Sequence, residues 1–234
     1  LEVDFLGRFG SEPSTSHPDY RTWIQSMIED HVRSYDLDGL MWCNERRSPI
    51  DQLVAGMAPG DFSDAACEEA ERRGVDVERT RRAFHEVYDY FQAARDGEEF
   101  VDGAFIEGLR VLMANPEVFL WEKVWVERNK DLDRELYGIA KWCDPNLQFG
   151  LNVWNRNHFN PLRKAQWPWK EQTRWSDWVK PITYQHQSGQ IYHKEMSDLH
   201  RNLLRDLDPA AATPLMYALL GLDEAPWDQL IQTG

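Results

Sequence analysis

Apolar and polar positions along the chain switch between two periods, and the switches predict its elements. Leu1 to Leu6 alternates apolar and acidic side chains and runs into Gly7 and Gly10, which predicts a short strand emptying into a loop. Ser16-His17-Pro18-Asp19 supplies a capping Ser, a Pro for the first turn and an acid within it, the marks of a helix start. Tyr20, Trp23, Ile24, Met27, Ile28, Val32 and Tyr35 then recur at helical spacing. Leu37-Asp38-Gly39-Leu40-Met41-Trp42-Cys43 follows as the compact apolar run of a buried strand. Strand, helix and strand in succession make a βαβ unit, with parallel pairing and a right-handed crossover.

A long helical stretch comes next. Ser63 to Arg73 stops at Gly74, Asp76 opens a helix reaching Ala94, and Phe105 to Ala114 forms another. Pro116 starts a longer one, carrying Val118, Trp121, Val124, Trp125, Leu132, Leu136, Ile139 and Ala140 up to Asp144-Pro145. Residues 61–115 therefore read as a helical insertion. Leu147 to Trp154 restores a strand and Asn155 to Pro161 a loop. Asp177 to Tyr184 reads as a fourth strand, although Pro181 fits a sheet interior poorly, and Gln185 to Gly189 as its loop. Helices over Tyr192 to Leu207 and Thr213 to Leu220 complete the pattern, with no further strand before Gly234.

Four strands with helices between them fit an open doubly wound sheet or part of a (β/α)8 barrel. Gly7 and Gly10 flank only Arg8-Phe9, matching neither GxGxxG nor a P-loop, so the nucleotide-binding version of the open sheet lacks its fingerprint. The expected fold class is α/β: a partial TIM-type (β/α)8 barrel with an enlarged helical insertion after the second strand of the chain. Residues 1–234 form one domain on this reading, truncated at both ends, since Leu1 to Gly7 already reads as the middle of a fold.

Composition is that of a globular chain, 42% hydrophobic and 28% charged. A net charge of -14 repels nucleic acid and anionic lipid, which excludes nucleic acid as the expected partner. No apolar run reaches the roughly 18 residues that would span a bilayer. Cys43, Cys67 and Cys143 are odd in number and lack CxxC spacing, against a disulfide framework or a zinc ribbon. Eleven tryptophans can fill a core or stack on sugar rings.

Catalytic groups of a barrel gather at the C-terminal ends of its strands. Those ends offer Asp4 and Arg8; Asn44, Glu45, Arg46 and Arg47; Asn152, Trp154, Asn155, Asn157 and His158; and Tyr184, His186 and Gln187. Amides to bond hydroxyls, indole faces to stack on a ring and an acid for the glycosidic oxygen make a carbohydrate site. Glu45 is the sharpest catalytic candidate, on a stiff backbone behind Trp42, with Asp4 as the second carboxylate such hydrolysis requires. The bland alternatives are an ion pair of Glu45 with Arg46 or Arg47, and an inward structural carboxylate at Asp4. Trp42, Asn44, Arg46, Asn152, Trp154, Asn157, His158, Tyr184 and His186 are the candidate substrate contacts, with turn formation the rival role for the asparagines. His158 and His186 could approach each other, but no HExxH or HxH spacing supports a metal, so neither a metal nor a cofactor is expected. No GxSxG elbow accompanies the serines.

Asp38-Gly39-Leu40-Met41-Trp42-Cys43-Asn44-Glu45-Arg46 resembles the fourth-strand region of glycoside-hydrolase-like (β/α)8 proteins, bacterial, usually exported and mostly uncharacterised. The Asp61 to Phe84 stretch, with Cys67 to Arg79 within it, resembles their helical insertion, at whose start relatives often carry several cysteines and only Cys67 stands here. Asn152-Val153-Trp154 with Phe159-Asn160-Pro161, and Lys180-Pro181-Ile182-Thr183-Tyr184, resemble their next two strand ends. The resemblance implies strands three to six of a barrel, export to the periplasm or beyond, and glycan processing with Glu45 as the acid. A non-catalytic carbohydrate-binding barrel is the first alternative, and a metal-dependent hydrolase using His158 and His186 the second.

Overall fold

The computed structural model describes residues 1–182 and 184–221. In chain order its elements are α1 (Pro18–Ser34), β1 (Gly39–Cys43), α2 (Pro49–Val54), α3 (Asp64–Arg72), α4 (Val77–Asp96), α5 (Ala104–Ala114) and α6 (Glu117–Cys143). There follow β2 (Gln148–Val153), α7 (Arg156–Phe159), α8 (Pro161–Gln166), α9 (Trp169–Gln172), β3 (Trp178–Pro181), α10 (Gln185–His200) and α11 (Pro209–Leu220).

The three strands form one parallel sheet in the order β1-β2-β3, and helices make up most of the rest. This overturns the barrel expectation. A (β/α)8 barrel, even a partial one, needs the N-terminal segment to pair with β1, and that segment does not. Its backbone groups go elsewhere. The Glu2 amide donates to the Glu12 carbonyl at 2.8 Å, Phe5 to Pro59 at 2.9 Å, and Phe62 to Val3 at 2.6 Å. Val3 and Phe9 share an isolated antiparallel bridge around a turn at Gly7, whose positive φ of 85° suits glycine. Alternation in Leu1 to Leu6 therefore reports a short two-sided loop and not a sheet strand.

Two cores flank the long α6. Ile24 and Ile28 of α1 pack with Leu132, Leu136 and Ala140 of α6 and with Phe149 and Leu151 of β2, covering one face of the sheet. Phe84, Val87 and Phe91 of α4, Leu53 of α2 and Val118 and Trp121 of α6 form the other core, built largely from the helical insertion. Phe62 lies flat on Trp121, ring centroids 4.1 Å apart. Because the middle of α6, residues 121–133, is buried on nearly every side, polar residues among its apolar ones, including Glu122, Arg128, Asn129 and Asp133, are carried inside.

Local chemistry explains the boundaries. His17, not Ser16, caps α1, its Nδ1 accepting from the Asp19 amide. Asp76 caps α4, and Gly97 closes it in the left-handed region at φ 92°. The stretch Asn155 to Pro161, expected as a loop after β2, instead holds α7 and the start of α8, with the Asn160 side chain capping α8 through the Leu162 and Arg163 amides. Pro181 ends β3, as a residue without an amide proton does in a sheet. Thr183, expected in that strand, lies outside the described residues, as does 222–234, where no strand was expected. Residues from Gln185, expected as a loop, open α10.

Candidate functional site

Parallel pairing sets the C-terminal ends of β1 and β2 side by side, and the main cavity opens there. It holds about 640 Å³ and is lined by Glu2, Asp4, Glu12 and Glu45, by Arg8, Arg46 and Arg47, and by Phe9, Tyr88 and Trp154, with smaller neighbours. Crevices outside the carboxyl ends of parallel strands are the usual place for ligands in α/β sheets. Trp154 also lines a second, smaller hollow of about 30 Å³ together with Trp42, Asn44, Asp133, Asn152 and Asn157. A space of that size holds a water or two.

Asp4 and Glu45 thus meet at one cavity, as the sequence suggested, but their situations differ. Asp4 is taken up by its own turn: Oδ1 accepts the Leu6 and Arg8 amides at 3.0 and 2.9 Å, and Oδ2 accepts Arg8 Nε at 2.6 Å. Glu45 makes no ion pair with either arginine beside it. Arg46 donates to Glu2 Oε1 at 2.7 Å and to the Pro13 carbonyl at 2.8 Å and reaches Glu12 at 3.3 Å. Arg47 turns to the buried Asp51 and Glu195. Glu45 instead accepts from Cys43 Sγ at 3.0 Å, and that sulfur in turn accepts from Asn152 Nδ2 at 3.0 Å. Burial and the neighbouring Glu45 push the Cys43 thiol up to about 12, so it keeps its proton and remains a donor. One oxygen of Glu45 is thereby oriented by β1 and β2 together while the side chain stays exposed to the cavity.

The other candidates divide. Trp42 donates from Nε1 to Asp133 Oδ1 at 2.9 Å, Asn44 donates to Asn129 Oδ1 at 3.0 Å, and both line the smaller hollow. Asn152 Oδ1 is buried there with no partner among the described residues. Asn157 accepts from Arg163 Nε at 2.8 Å. The guanidinium groups of Arg156 and Arg163 lie 4.9 and 4.8 Å from the Trp154 ring centroid, so part of its π surface is occupied by cations. Arg46 acts as a tie between the N-terminal loop and the end of β1.

His158, Tyr184 and His186 do not join them. His158 stacks on Trp169 with centroids 5.4 Å apart, and burial, helped by Lys164, lowers its pKa. Tyr184 and His186 sit exposed at the start of α10, their rings 6.0 Å apart. Among the described residues no group of three or more His, Cys, Asp or Glu is placed to hold a metal ion.

Two carboxyls that the sequence reading passed over stand out. Glu2 lines the main cavity, and burial, reinforced by Asp61 and Glu12 and opposed by Arg46 and Arg128, lifts it to about 7. Asp133 lines the smaller hollow, and burial lifts it to about 7 against the hydrogen bond from Trp42. Glu2 belongs to the same alternating run that drew attention to Asp4. Trp125, Asn129 and Asp133 recur every four residues, a polar step inside an apolar helix face that could have marked the hollow.

No family model, no curated protein and no solved structure matches the chain.

Proposed function

We propose that the protein is a glycoside hydrolase acting on a carbohydrate by carboxylate acid/base catalysis, with Glu45 as a catalytic group. The observation that carries this reading is the state of Glu45: on the wall of a cavity of about 640 Å³, without a cation partner among the described residues, and oriented by the Asn152 and Cys43 pair. Tyr88 and Trp154 offer aromatic surface beside it, and the acidic net charge suits a neutral ligand.

The test is turnover of a panel of aryl glycosides and oligosaccharides by the wild type and by Glu45→Gln. Loss of a general acid or base lowers the rate by about 10²–10⁴-fold, so a drop of that size is expected. Unchanged turnover in the variant removes Glu45 from the mechanism. One observation favours a second reading, sugar binding without cleavage: Asp4, the expected partner carboxylate, has both oxygens engaged by its own turn. Calorimetric binding of an oligosaccharide with no product released would select it.

A further inference from the structure

Hydrolysis of a glycosidic bond takes two carboxyl groups, and the cavity offers a better second one than Asp4. Glu2 is held rigidly, its amide donating to the Glu12 carbonyl and its own carbonyl accepting the Gly10 amide at 2.9 Å. Its Oε1 is bonded to Arg46, whereas Oε2 accepts no hydrogen bond among the described residues. Gly60 leaves room beside that oxygen: a methyl group there would come no closer to it than 3.7 Å.

We propose that Glu2 is the proton donor of this cleft and Glu45 its base, an assignment that rests on the carbohydrate reading above. In the step, the Glu2 carboxyl gives its proton to the glycosidic oxygen as the bond from that oxygen to the anomeric carbon breaks. The bonding pair leaves on the oxygen, which departs as an alcohol. Glu45 takes a proton from the water whose oxygen bonds to the anomeric carbon, and solvent returns that proton to Glu2. A bond is exchanged for a bond, with no oxidant or metal required.

The electrostatics agree with the roles. Arg46 faces Glu2 but is shared with Glu12 and the Pro13 carbonyl, Arg128 lies further back, and Asp61 and Glu12 oppose both. Burial decides the balance, leaving a large share of Glu2 protonated near neutral pH. Glu45 stands exposed on the wall of the same cavity.

The experiment compares wild type, Glu2→Gln and Glu45→Gln on 2,4-dinitrophenyl glycosides, whose leaving group departs without protonation, and on the matching alkyl glycosides. For Glu2→Gln the expected result is a fall of about 10²–10⁴-fold on the alkyl substrates and less than about tenfold on the dinitrophenyl ones, with loss of the alkaline limb of the pH profile. Carbon NMR of uniformly labelled wild type should show the Glu2 carboxyl resonance, assigned through its own side-chain and backbone correlations, titrating well above the glutamates other than the buried Glu122. That readout stands even where the variant folds poorly. Equal losses on both substrate classes, or titration of Glu2 among ordinary glutamates, overturn the assignment while the hydrolase reading survives on Glu45→Gln. Failure of the wild type to turn over any glycoside overturns the hydrolase reading and this assignment with it.

Discussion

Replacing Asp133 with Asn should change how stability depends on pH. Asp133 is enclosed in α6, its Oδ1 accepting the Trp42 indole proton, and an Asn oxygen can accept the same bond. Burial lifts the carboxyl from 3.8 to about 7. Between those values the folded protein holds a proton that the unfolded chain has released. As pH rises through this window, stability from this group falls, and above about pH 7 the change levels off. A displacement of about three pH units corresponds at most to about 4 kcal/mol. Burial is nearly complete, so solvent screening removes little of it, while relaxation around the ionised form would bring the change nearer 2 kcal/mol. The variant and the wild type should therefore be close in stability near pH 4, with the variant ahead by about 2–4 kcal/mol near pH 8. Urea unfolding at both pH values measures this. Other carboxyls with raised values, Glu2 and Glu122, are common to both proteins and cancel in the difference. A variant-minus-wild-type difference that stays constant with pH would show that Asp133 is ionised throughout.

Two further substitutions probe the frame around the cavity. Arg163→Ala removes the donor to Asn157 and to the Arg46 carbonyl and strips a cation from the fully buried Asp51, so a loss of about 3–5 kcal/mol is expected in urea unfolding; less than about 1 kcal/mol would contradict the burial of this pair. Gly39→Ala should destabilise by about 1–3 kcal/mol in thermal unfolding, because a Cβ would stand 2.6 Å from the Gln148 carbonyl oxygen across the β1–β2 pairing, and a neutral effect would place β1 in another register.

Much of the helical organisation was legible in the chain. α1, α4, α5 and α6 lie close to where the apolar spacing put them, and α1, α4 and α6 bury a stripe that recurs at the helical period, whereas α5 buries only Ala104 and Gly108. Two of the strands were legible for a related reason: Leu37 to Cys43 and Leu147 to Trp154 are short apolar runs enclosed by turn residues, and they pair in parallel as a βαβ connection requires, although only β2 is buried and β1 stays half-exposed. The first strand was misread because alternation over six residues serves a hairpin loop as well as a sheet, and only long-range hydrogen bonds separate the two. The short helices α7 to α9 carry too few turns for a period to show, and α10 begins earlier than its apolar residues suggest.

At the cavity, Glu45 was singled out because an acid directly after an apolar strand-like run is conspicuous, and it does line that cavity. Glu2 was passed over for Asp4, since in a barrel the choice follows from which side chain points inward, and the chain has no barrel strand there. His158, Tyr184 and His186 were grouped with the others on the assumption of a shared mouth, and the helices following β2 and β3 carry them away from it.

What the sequence determined by itself was local: period, caps, breaks and which polar residues follow the strands. The tertiary structure decided which of these meet. The pairing of β1 with β2 joined Asn152 to Cys43 and Glu45, and attachment of the N-terminal loop to residues 59–62 brought Glu2 and Asp4 to the cavity that Glu45 lines. Burial then set the protonation of Glu2 and Asp133, because the energy of a carboxylate depends on water excluded by residues far along the chain, which no local pattern encodes.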